Sequence, residues 1–383
     1  MLSLPVTLNS ALVGYIAHQK TNSSTVGNTQ ITKTTNDGQT QLPQQVSLFL
    51  AGRAGEHAGF EAEINLTGSG AGTQQEANGN TGIIRLKVPV VYAVGNVNAG
   101  VVPFSTVLGA ADSFEVLNTG AVAVHTFNQS TAGSVGLGGM NVVSAQQYIG
   151  TATPASGLAF IASNDNFFAN VAKWGANQGG GNASPTSNYL RAAWTTGLLP
   201  GFDSAIGFQS WNGNSGTDNA VAGGTTTLAG VTPGIYDTKA NAIDAQMLGE
   251  VHGMPLSLVA SYATAPTGGA TANGNLFNQG TSTLKSFNVG AELGVIPNKA
   301  TIQLAIRRAS TGNYVPGTTS GNASDNAIML GTTYALAYNL RAELTYVKAS
   351  GDMYNGAVGS QTDSLNNAAF GNTMTMLDLA FGF

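Results

Sequence analysis

The chain ends in the segment TMTMLDLAFGF, Thr373–Phe383, in which apolar side chains recur at alternate positions. Successive side chains of a β-strand point to opposite faces, so one face collects large apolar groups and the other carries Asp378. The apolar face consists of Leu377, Leu379, Phe381 and Phe383. This pattern predicts either a strand between lipid and water or an edge strand over the core of a soluble sheet.

The composition of the chain separates these two alternatives. Charged residues make up 9 % of the 383 residues, whereas about 25 % is usual in soluble proteins. Glycine, at 51 residues, favours strands and tight turns over long helices. Because no uninterrupted apolar run reaches about 18 residues, a transmembrane helix is excluded on length. A closed β-barrel is the other structure that satisfies every backbone group in lipid, so the composition favours a barrel.

Charge and cysteine content exclude several classes of partner and cofactor. The formal net charge is −5, from 14 Lys and Arg against 19 Asp and Glu, without a polybasic run. Nucleic acid and anionic membrane surfaces are therefore not expected partners. The absence of cysteine excludes disulfides, thiolate metal sites and the CxxCH motif that attaches c-type haem, and no cofactor is predicted. The opening MLSLPVTLNSALVGYIAHQK lacks a basic segment before its apolar residues, which indicates a mature or trimmed chain.

Segments of alternating character recur along the whole chain. In Phe60–Leu66, for example, apolar side chains alternate with Glu61 and Glu63. About sixteen such segments can be assigned, and short turns alternate with long polar connections between them. This asymmetry predicts an all-β fold: one transmembrane antiparallel barrel over residues 1–383, with short periplasmic turns and long extracellular loops. Its terminal strand should pair with a first strand at about Val6–Gln19.

The longest connection, residues 110–156, contains the glycine-rich stretch STAGSVGLGGMN and follows the fifth predicted strand. Structureless connections of this length are uncommon and usually functional. With the strand number and the terminal Phe383, this feature resembles the bacterial outer-membrane porins, whose third loop typically folds into the barrel. The resemblance implies that 110–156 enters the lumen and that the chain is integral to the bacterial outer membrane, with a homotrimer as one arrangement. It also implies that Leu377–Phe383 is the end recognised by the barrel-assembly machinery.

Other segments, among them NDNFFANVAKW and AELGVIPNKATIQLAIRR, resemble the porin portion of the fused cytochrome–porin proteins of iron-oxidising bacteria. That resemblance implies an alternative function, a barrel that houses or docks a separate electron-carrying cytochrome. The chain departs from the fused family because it has no haem-attachment motif. A soluble or fibrous β protein is a third alternative, but it does not explain why short turns and long connections alternate.

Charged residues on the predicted inward faces form the candidate site. A charge that faces hydrocarbon at the bilayer midplane costs roughly 2–4 kcal/mol, which excludes these side chains from the lipid face. The set comprises Arg85, Lys87, Arg191, Asp244, Glu292, Arg307, Arg341 and Glu343, to which the long connection adds Asp112 and Glu115. We expect Glu292 and Arg307 to lie opposite one another on neighbouring strands. The set either forms a constriction that sorts solutes by charge, or only solubilises the lumen and pairs across strands.

No nucleophile, base and orienting residue can be assembled into a set, so no enzymatic activity is expected. The histidines show no metal-ligand spacing; they are His18, His57, His125 and His252. Asn164–Asp165 and Asp325–Asn326 are alternatives for calcium, but such residues occur at turns for their own backbone hydrogen bonds, and no metal site is predicted. The expected function is passive diffusion of small polar or ionic solutes through a water-filled channel.

Overall fold

A computed structural model describes residues 8–22, 38–66, 82–115, 141–176, 184–197, 200–217, 234–268, 274–278, 280–312, 322–354 and 372–383. The first nine strands are β1 (Leu8–Thr21), β2 (Gln39–Arg53), β3 (Gly59–Asn65), β4 (Gly82–Lys87), β5 (Val90–Val94), β6 (Val97–Thr106), β7 (Ala155–Ser163), β8 (Phe167–Gly175) and β9 (Ser187–Thr196). The others are β10 (Phe202–Asn212), β11 (Asn214–Thr217), β12 (Gly234–Asp237), β13 (Ala240–Val251), β14 (Met254–Ala265), β15 (Leu284–Ile296), β16 (Ala300–Ser310), β17 (Ser324–Ala337), β18 (Leu340–Ser350) and β19 (Thr373–Gly382). One α-helical turn, α1 (Ala145–Tyr148), and two 3₁₀ turns, Ala110–Asp112 and Asp352–Tyr354, complete the described elements.

Seventeen of the strands form one antiparallel sheet that closes on itself through β1 and β19. They fill sixteen positions in the wall, because β4 and β5 follow each other along the same neighbour, β6. Closure runs from Val13 opposite Gly382 to Thr21 opposite Met374. The predicted sixteen-strand antiparallel barrel and its closing pair are therefore confirmed.

Three local predictions differ from the structure. The strand predicted at Ile84–Tyr92 is interrupted at Val88–Pro89, because proline has no N–H to give to the ladder. The second strand begins at Gln39, earlier than predicted, so the polar residues before Val46 are part of the wall. The connection after β10 contains a hairpin, β11–β12, that was predicted as loop.

Side chains alternate between the two faces of the wall. Large apolar groups on the outward face are exposed, for example Phe160 at 52 %, Ile243 at 54 % and Leu330 at 53 %. Such a face is stable only against an apolar medium, as in the lipid band of a transmembrane barrel. In the terminal strand, Leu377 and Phe383 are exposed, whereas Asp378 on the opposite face is buried. The described helices are all too short and too polar to cross a membrane.

The short turns lie together at one end of the barrel. Three of them place a non-glycine residue at positive φ: His252, Asn298 and Asn339. Asparagine tolerates this conformation better than most residues, so the turns after β15 and β17 can be brief. Both described chain ends lie at the same end of the barrel, because β1 begins there and β19 finishes there. The long connections therefore emerge at the opposite end.

Both described ends of the connection 110–156 pack on the inner face of the wall. Ala110, Val143 and Ile149 belong to one buried apolar cluster with the wall residues Phe104 and Phe168. The turn α1 is capped by Ser144, whose hydroxyl accepts a hydrogen bond from the Gln147 N–H. The middle of the connection, residues 116–140, lies outside the described residues. In its described parts, the connection therefore covers the inside of the barrel wall.

A second apolar contribution comes from the connection between β14 and β15. Phe277 stacks on Trp174 with a centroid distance of 6.4 Å and meets Trp211 edge-on at 6.3 Å. Trp211 also packs against Tyr189, at 5.1 Å. Trp174, Tyr189 and Trp211 belong to the inner faces of β8, β9 and β10 near their long-connection ends. This quarter of the lumen is thus filled by aromatic side chains.

Candidate functional site: charged groups of the lumen

The first group of charges joins the connection 110–156 to β4. Lys87 Nζ donates to Asp112 Oδ1 at 3.0 Å, and the Thr106 hydroxyl donates to Asp112 Oδ2 at 2.7 Å. Arg85 Nε lies 3.0 Å from the same Oδ2 as an ion pair. Asp112 sits in the 3₁₀ turn that immediately follows β6, which brings it back over the neighbouring strand β4. A single carboxylate therefore holds the start of the connection against two cations of the wall.

Two further carboxylates, Glu61 and Glu63, approach Arg85 from β3. Arg85 Nη1 lies 3.3 Å from Glu61 Oε1 and 3.6 Å from Glu63 Oε2. The register of β3 and β4 places Glu63 opposite Arg85 and Glu61 opposite Lys87. The two cations are thus surrounded by three carboxylates, Asp112 included. A water-accessible cavity of about 470 Å³ borders this group, lined by Arg53, Glu61, Lys87 and Phe114 among others.

The second group is a buried ion pair that spans β10. Arg191 on β9 donates from Nη1 to Asp244 Oδ1 at 2.6 Å and from Nη2 to Oδ2 at 3.1 Å. Gly207 lies between the two side chains, opposite Ala193 on one side and Asp244 on the other. A Cβ at position 207 would lie 2.0 Å from Arg191 Nη1, so only glycine leaves room for the pair.

Arg191 also binds the connection 110–156, because its Nε donates to Glu115 Oε2 at 2.9 Å. On β8, Asn170 donates to Ser113 Oγ at 2.9 Å and to the Phe114 carbonyl at 2.8 Å. Arg191 is fully buried, so its two carboxylate partners hold a charge that water does not reach. The structure therefore brings Arg191, Asp244 and Glu115 together at one point of the wall.

The third group holds the other end of the connection. Arg307 on β16 forms an ion pair with Asp325 on β17, and its Nη1 donates to the Asn141 carbonyl at 2.6 Å. Tyr148 donates its hydroxyl to Asp325 at 2.8 Å, while its ring centroid lies 5.0 Å from the Arg307 guanidinium carbon. Arg307 and Asp325 side chains are both fully buried. This cation–π and ion-pair arrangement fixes α1 against β16 and β17.

Backbone contacts of α1 extend this attachment to two more strands. The Ala145 N–H donates to Ser261 Oγ on β14 at 2.8 Å, and Asn288 on β15 donates to the Val143 carbonyl. These two wall residues are buried on the inner face. The end of the connection 110–156 is therefore hydrogen-bonded to four successive strands, β14 to β17.

The remaining predicted site residues, Arg341, Glu343 and Glu292, are in a different environment. Arg341 Nη2 lies 3.4 Å from Glu343 Oε2 within β18. The predicted opposition of Glu292 and Arg307 is wrong, because Gln303 lies opposite Glu292 and Asn288 lies opposite Arg307. The prediction placed the β15–β16 turn one step too far along the strands, whereas a bulge between Gly294 and Ile296 shifts the register.

Sequence analysis missed several residues that take part in these groups. Asp325 was considered only as a turn residue, because the predicted strand began after it, yet it is the partner of Arg307. Gly207 gave no signal beyond an isolated glycine inside a strand, which often marks a close approach. Tyr148 belongs to the long connection, where no period assigns a face. The position of Asp325 two residues before the inward Ala327 was the one signal available for it.

Among the described residues, no group of three or more His, Asp or Glu side chains is arranged to hold a metal ion. Every arginine and lysine of the first three groups instead lies within 4.0 Å of a carboxylate. Basic and acidic groups are therefore neighbours on the wall, and the field that they produce is strongest close to each pair.

No family profile and no curated protein matches the sequence. Among solved structures, the chain is similar to the trimer form of OmpT, an outer membrane protein of Vibrio cholerae, at 10 % identity over 99 % of both chains with a TM-score of 0.52. It is similar to the outer membrane channel DcaP of Acinetobacter baumannii at 12 % identity, with a TM-score of 0.53, over 99 % of this chain and 97 % of that one. Pseudomonas putida OprB has 13 % identity and a TM-score of 0.55, over 99 % of this chain and 94 % of OprB. At these identities the likeness establishes the fold, which is the fold of the outer-membrane porins.

Proposed function

We propose that this protein is an integral protein of the bacterial outer membrane and forms a water-filled channel for passive diffusion of small polar or ionic solutes. The observation that carries the proposal is the attachment of both described ends of the connection 110–156 to the inside of the closed barrel. Asp112 and Glu115 bind one part of the wall, and the segment around Tyr148 binds another. Inward attachment narrows a wide barrel without closing it.

The charges of the described inner face support a preference for cations. Carboxylates exceed cations there, and the excess is carried by residues that no guanidinium or ammonium contacts. The inward acidic residues are Glu61, Glu63, Asp112, Glu115, Asp244, Glu292, Asp325, Glu343 and Asp378, and the basic ones are Arg53, Arg85, Lys87, Arg191, Arg307 and Arg341. Residues 116–140 contain no Asp, Glu, Lys or Arg, so the middle of the connection adds no formal charge. A lumen with this balance concentrates cations.

Conductance and reversal potential in planar bilayers under asymmetric KCl test the proposal. The unaltered protein should conduct with a mild preference for K⁺. The double variant Arg85→Gln, Lys87→Gln should increase that preference, because two cations leave a wall that keeps its carboxylates. Deleting residues 118–138 should raise conductance, since less chain then occupies the lumen.

The matched control shortens the connection 355–371 between β18 and β19, which contributes nothing to the ion pairs described above. That change should leave selectivity as it is. Unchanged conductance and selectivity in both the deletion 118–138 and the double variant would exclude the constriction. The absence of conductance in the unaltered, folded barrel would exclude the channel itself.

The assembly that we propose is a homotrimer inserted by the barrel-assembly machinery, in accord with the trimer form of OmpT. Leu377, Leu379, Phe381 and Phe383 then form the outward end of the last strand that the machinery recognises. Size-exclusion chromatography with light scattering on the detergent-extracted protein distinguishes a trimer from a monomer.

The cytochrome sheath remains the second candidate, and the lumen contacts count against it. The chain's own residues Phe277, Trp174 and Trp211 fill one part of the lumen, and α1 covers another. A folded cytochrome needs that space. Co-purification of a haem protein in fixed stoichiometry with the barrel would favour the sheath over the open channel.

A further inference from the structure

A row of buried oxygen atoms on β16, β18 and β19 is separate from the three ion-pair groups that hold the connection 110–156. The atoms are Gln303 Oε1, Glu343 Oε1, Thr345 Oγ1 and both carboxylate oxygens of Asp378, and none has a hydrogen-bond partner within the described structure. Their side chains are between 0 % and 7 % exposed. Buried polar groups are nearly always hydrogen-bonded, so five unpartnered oxygens at one place require an explanation.

The strand register places these oxygens side by side on the inner face. Glu343 lies directly opposite Asp378, and Thr345 follows two residues later on the same face of β18. On the other side, Gln303 and Thr345 are both opposite Gly331 of β17. Residues directly opposite one another on neighbouring strands have Cβ atoms about 4.5–5.5 Å apart, so the carboxylates of Glu343 and Asp378 are close neighbours.

Gly331 opens the gap into which Gln303 points. A Cβ at position 331 would lie 2.7 Å from Gln303 Oε1, so the amide oxygen lies directly over the glycine. With no side chain on β17, this oxygen faces the hydroxyl of Thr345 across the gap. The amide and the hydroxyl are neutral, and their orientation toward the carboxylates is an observation independent of the acidic residues themselves.

Charge balance at this row is strongly negative. Glu343 and Asp378 are joined by Glu292, which faces the lumen opposite Gln303. The one cation on these faces is Arg341, whose guanidinium reaches Glu343 Oε2 and is 52 % exposed. Like charges directly opposite one another on a sheet are destabilising. Asp378, which is 2 % exposed, receives no compensating hydrogen bond within the described structure.

We propose that this oxygen row binds a hydrated divalent cation of the Ca²⁺ or Mg²⁺ type. Such hard cations take carboxylate, carbonyl and hydroxyl oxygens together with water, and these are the groups present here. Glu343 and Asp378 supply the charge, Gln303 and Thr345 supply neutral oxygens, and water completes the coordination. The row lies four residues nearer the short-turn end of β16 than Arg307, so cation binding does not require the loop attachments. The proposal also does not rest on channel function.

Isothermal titration of the folded protein in detergent with CaCl₂, and separately with MgCl₂, tests this site. The unaltered protein should show saturable binding of at least one of the two ions. Asp378→Asn and Glu343→Gln keep the side-chain shape and remove one charge each, and each should weaken binding about tenfold or more. Gly331→Ala should also weaken binding, because its methyl group displaces Gln303 Oε1.

The matched control is Asp203→Asn, which removes a carboxylate from the inner face of β10 and should leave the affinity unchanged. Heat-dependent mobility on gels verifies that each variant is folded. No saturable binding by the unaltered protein would overturn the proposal without reference to any variant. Undiminished binding by Asp378→Asn, or equal weakening by Asp203→Asn, would overturn it as well. Because the measurement involves no transport, its failure leaves the proposed channel untouched.

Discussion

Replacing Gly207 with alanine should destabilise the barrel through the ion pair that passes over it. The added Cβ would lie 2.0 Å from Arg191 Nη1 and 2.6 Å from both Arg191 Cζ and Asp244 Oδ1. The obstructing atoms belong to two side chains that hold each other at 2.6 Å and 3.1 Å, so neither can move without separating from its partner. The substitution therefore tests the pair without removing either charge.

The size of the effect follows from the burial of the pair. Arg191 and Asp244 side chains are 0 % exposed, and breaking a buried pair by loss of one partner costs about 3–5 kcal/mol. Arg191 keeps its contact with Glu115, which reduces the loss. Alanine in place of glycine restricts the unfolded chain and returns about 0.4–1 kcal/mol. We expect the free energy of unfolding to fall by roughly 2–4 kcal/mol.

Urea unfolding in lipid vesicles, followed by tryptophan fluorescence, measures this free energy. Gly197→Ala is the matched control, because an added Cβ there meets nothing within 4 Å. In an Arg191→Gln background the pair is already absent, so Gly207→Ala should then cost less than about 1 kcal/mol, which gives a large coupling energy. Equal stability of Gly207→Ala and Gly197→Ala, or the same cost in both backgrounds, would show that the reasoning is wrong.

The other predictions concern the remaining anchors and the chain end. Asp112→Asn should shift ion selectivity toward anions, because Arg85 and Lys87 lose their shared carboxylate; an unchanged reversal potential contradicts this. Asp325→Asn should lower the free energy of unfolding by about 3–5 kcal/mol, since it leaves a buried guanidinium without its charge partner, and urea titration that finds less than about 1 kcal/mol refutes it. Deleting Phe383 should reduce the amount of assembled barrel in outer membranes while synthesis is unchanged, and equal amounts by immunoblot count against the proposed signal.

The strands of the last third could be predicted almost to the residue. Segments 240–251, 300–310 and 340–350 have the bounds that alternation and turn residues gave them. Here the outward face is apolar over the full length, so one period assigns both face and extent. The first strands were less well bounded because the polar stretch before Val46 has no apolar face, although it pairs with β1. Hydrogen bonding extends a strand beyond the lipid band where hydrophobicity gives no signal.

The candidate site could be predicted only in part. Alternation identified inward charges correctly for residues such as Arg191 and Asp244, because the cost of a charge in lipid leaves one acceptable face. Which charges meet depends on register, and a single bulge after Gly294 changed the partner of Arg307. Contacts from the connection 110–156 could not be assigned at all, since Tyr148 and Glu115 lie where no periodicity relates sequence to direction.

The attachments of the connection 110–156 are distributed unevenly around the barrel, and this distribution indicates where solutes pass. The hydrogen bonds and ion pairs described above reach β4, β8, β9 and β14 to β17. Neighbouring strands are about 4.8 Å apart, so the arc from β18 through β1 to β3 is roughly 20 Å wide. Its inner face carries Arg341, Glu343, Asp378 and Glu61, and the open cavity beside Lys87 borders it. Polar walls need water, whereas the opposite quarter is filled by Trp174, Trp211 and Phe277. We therefore expect the aqueous path to follow this arc, with Asp112 and Arg307 at its two margins.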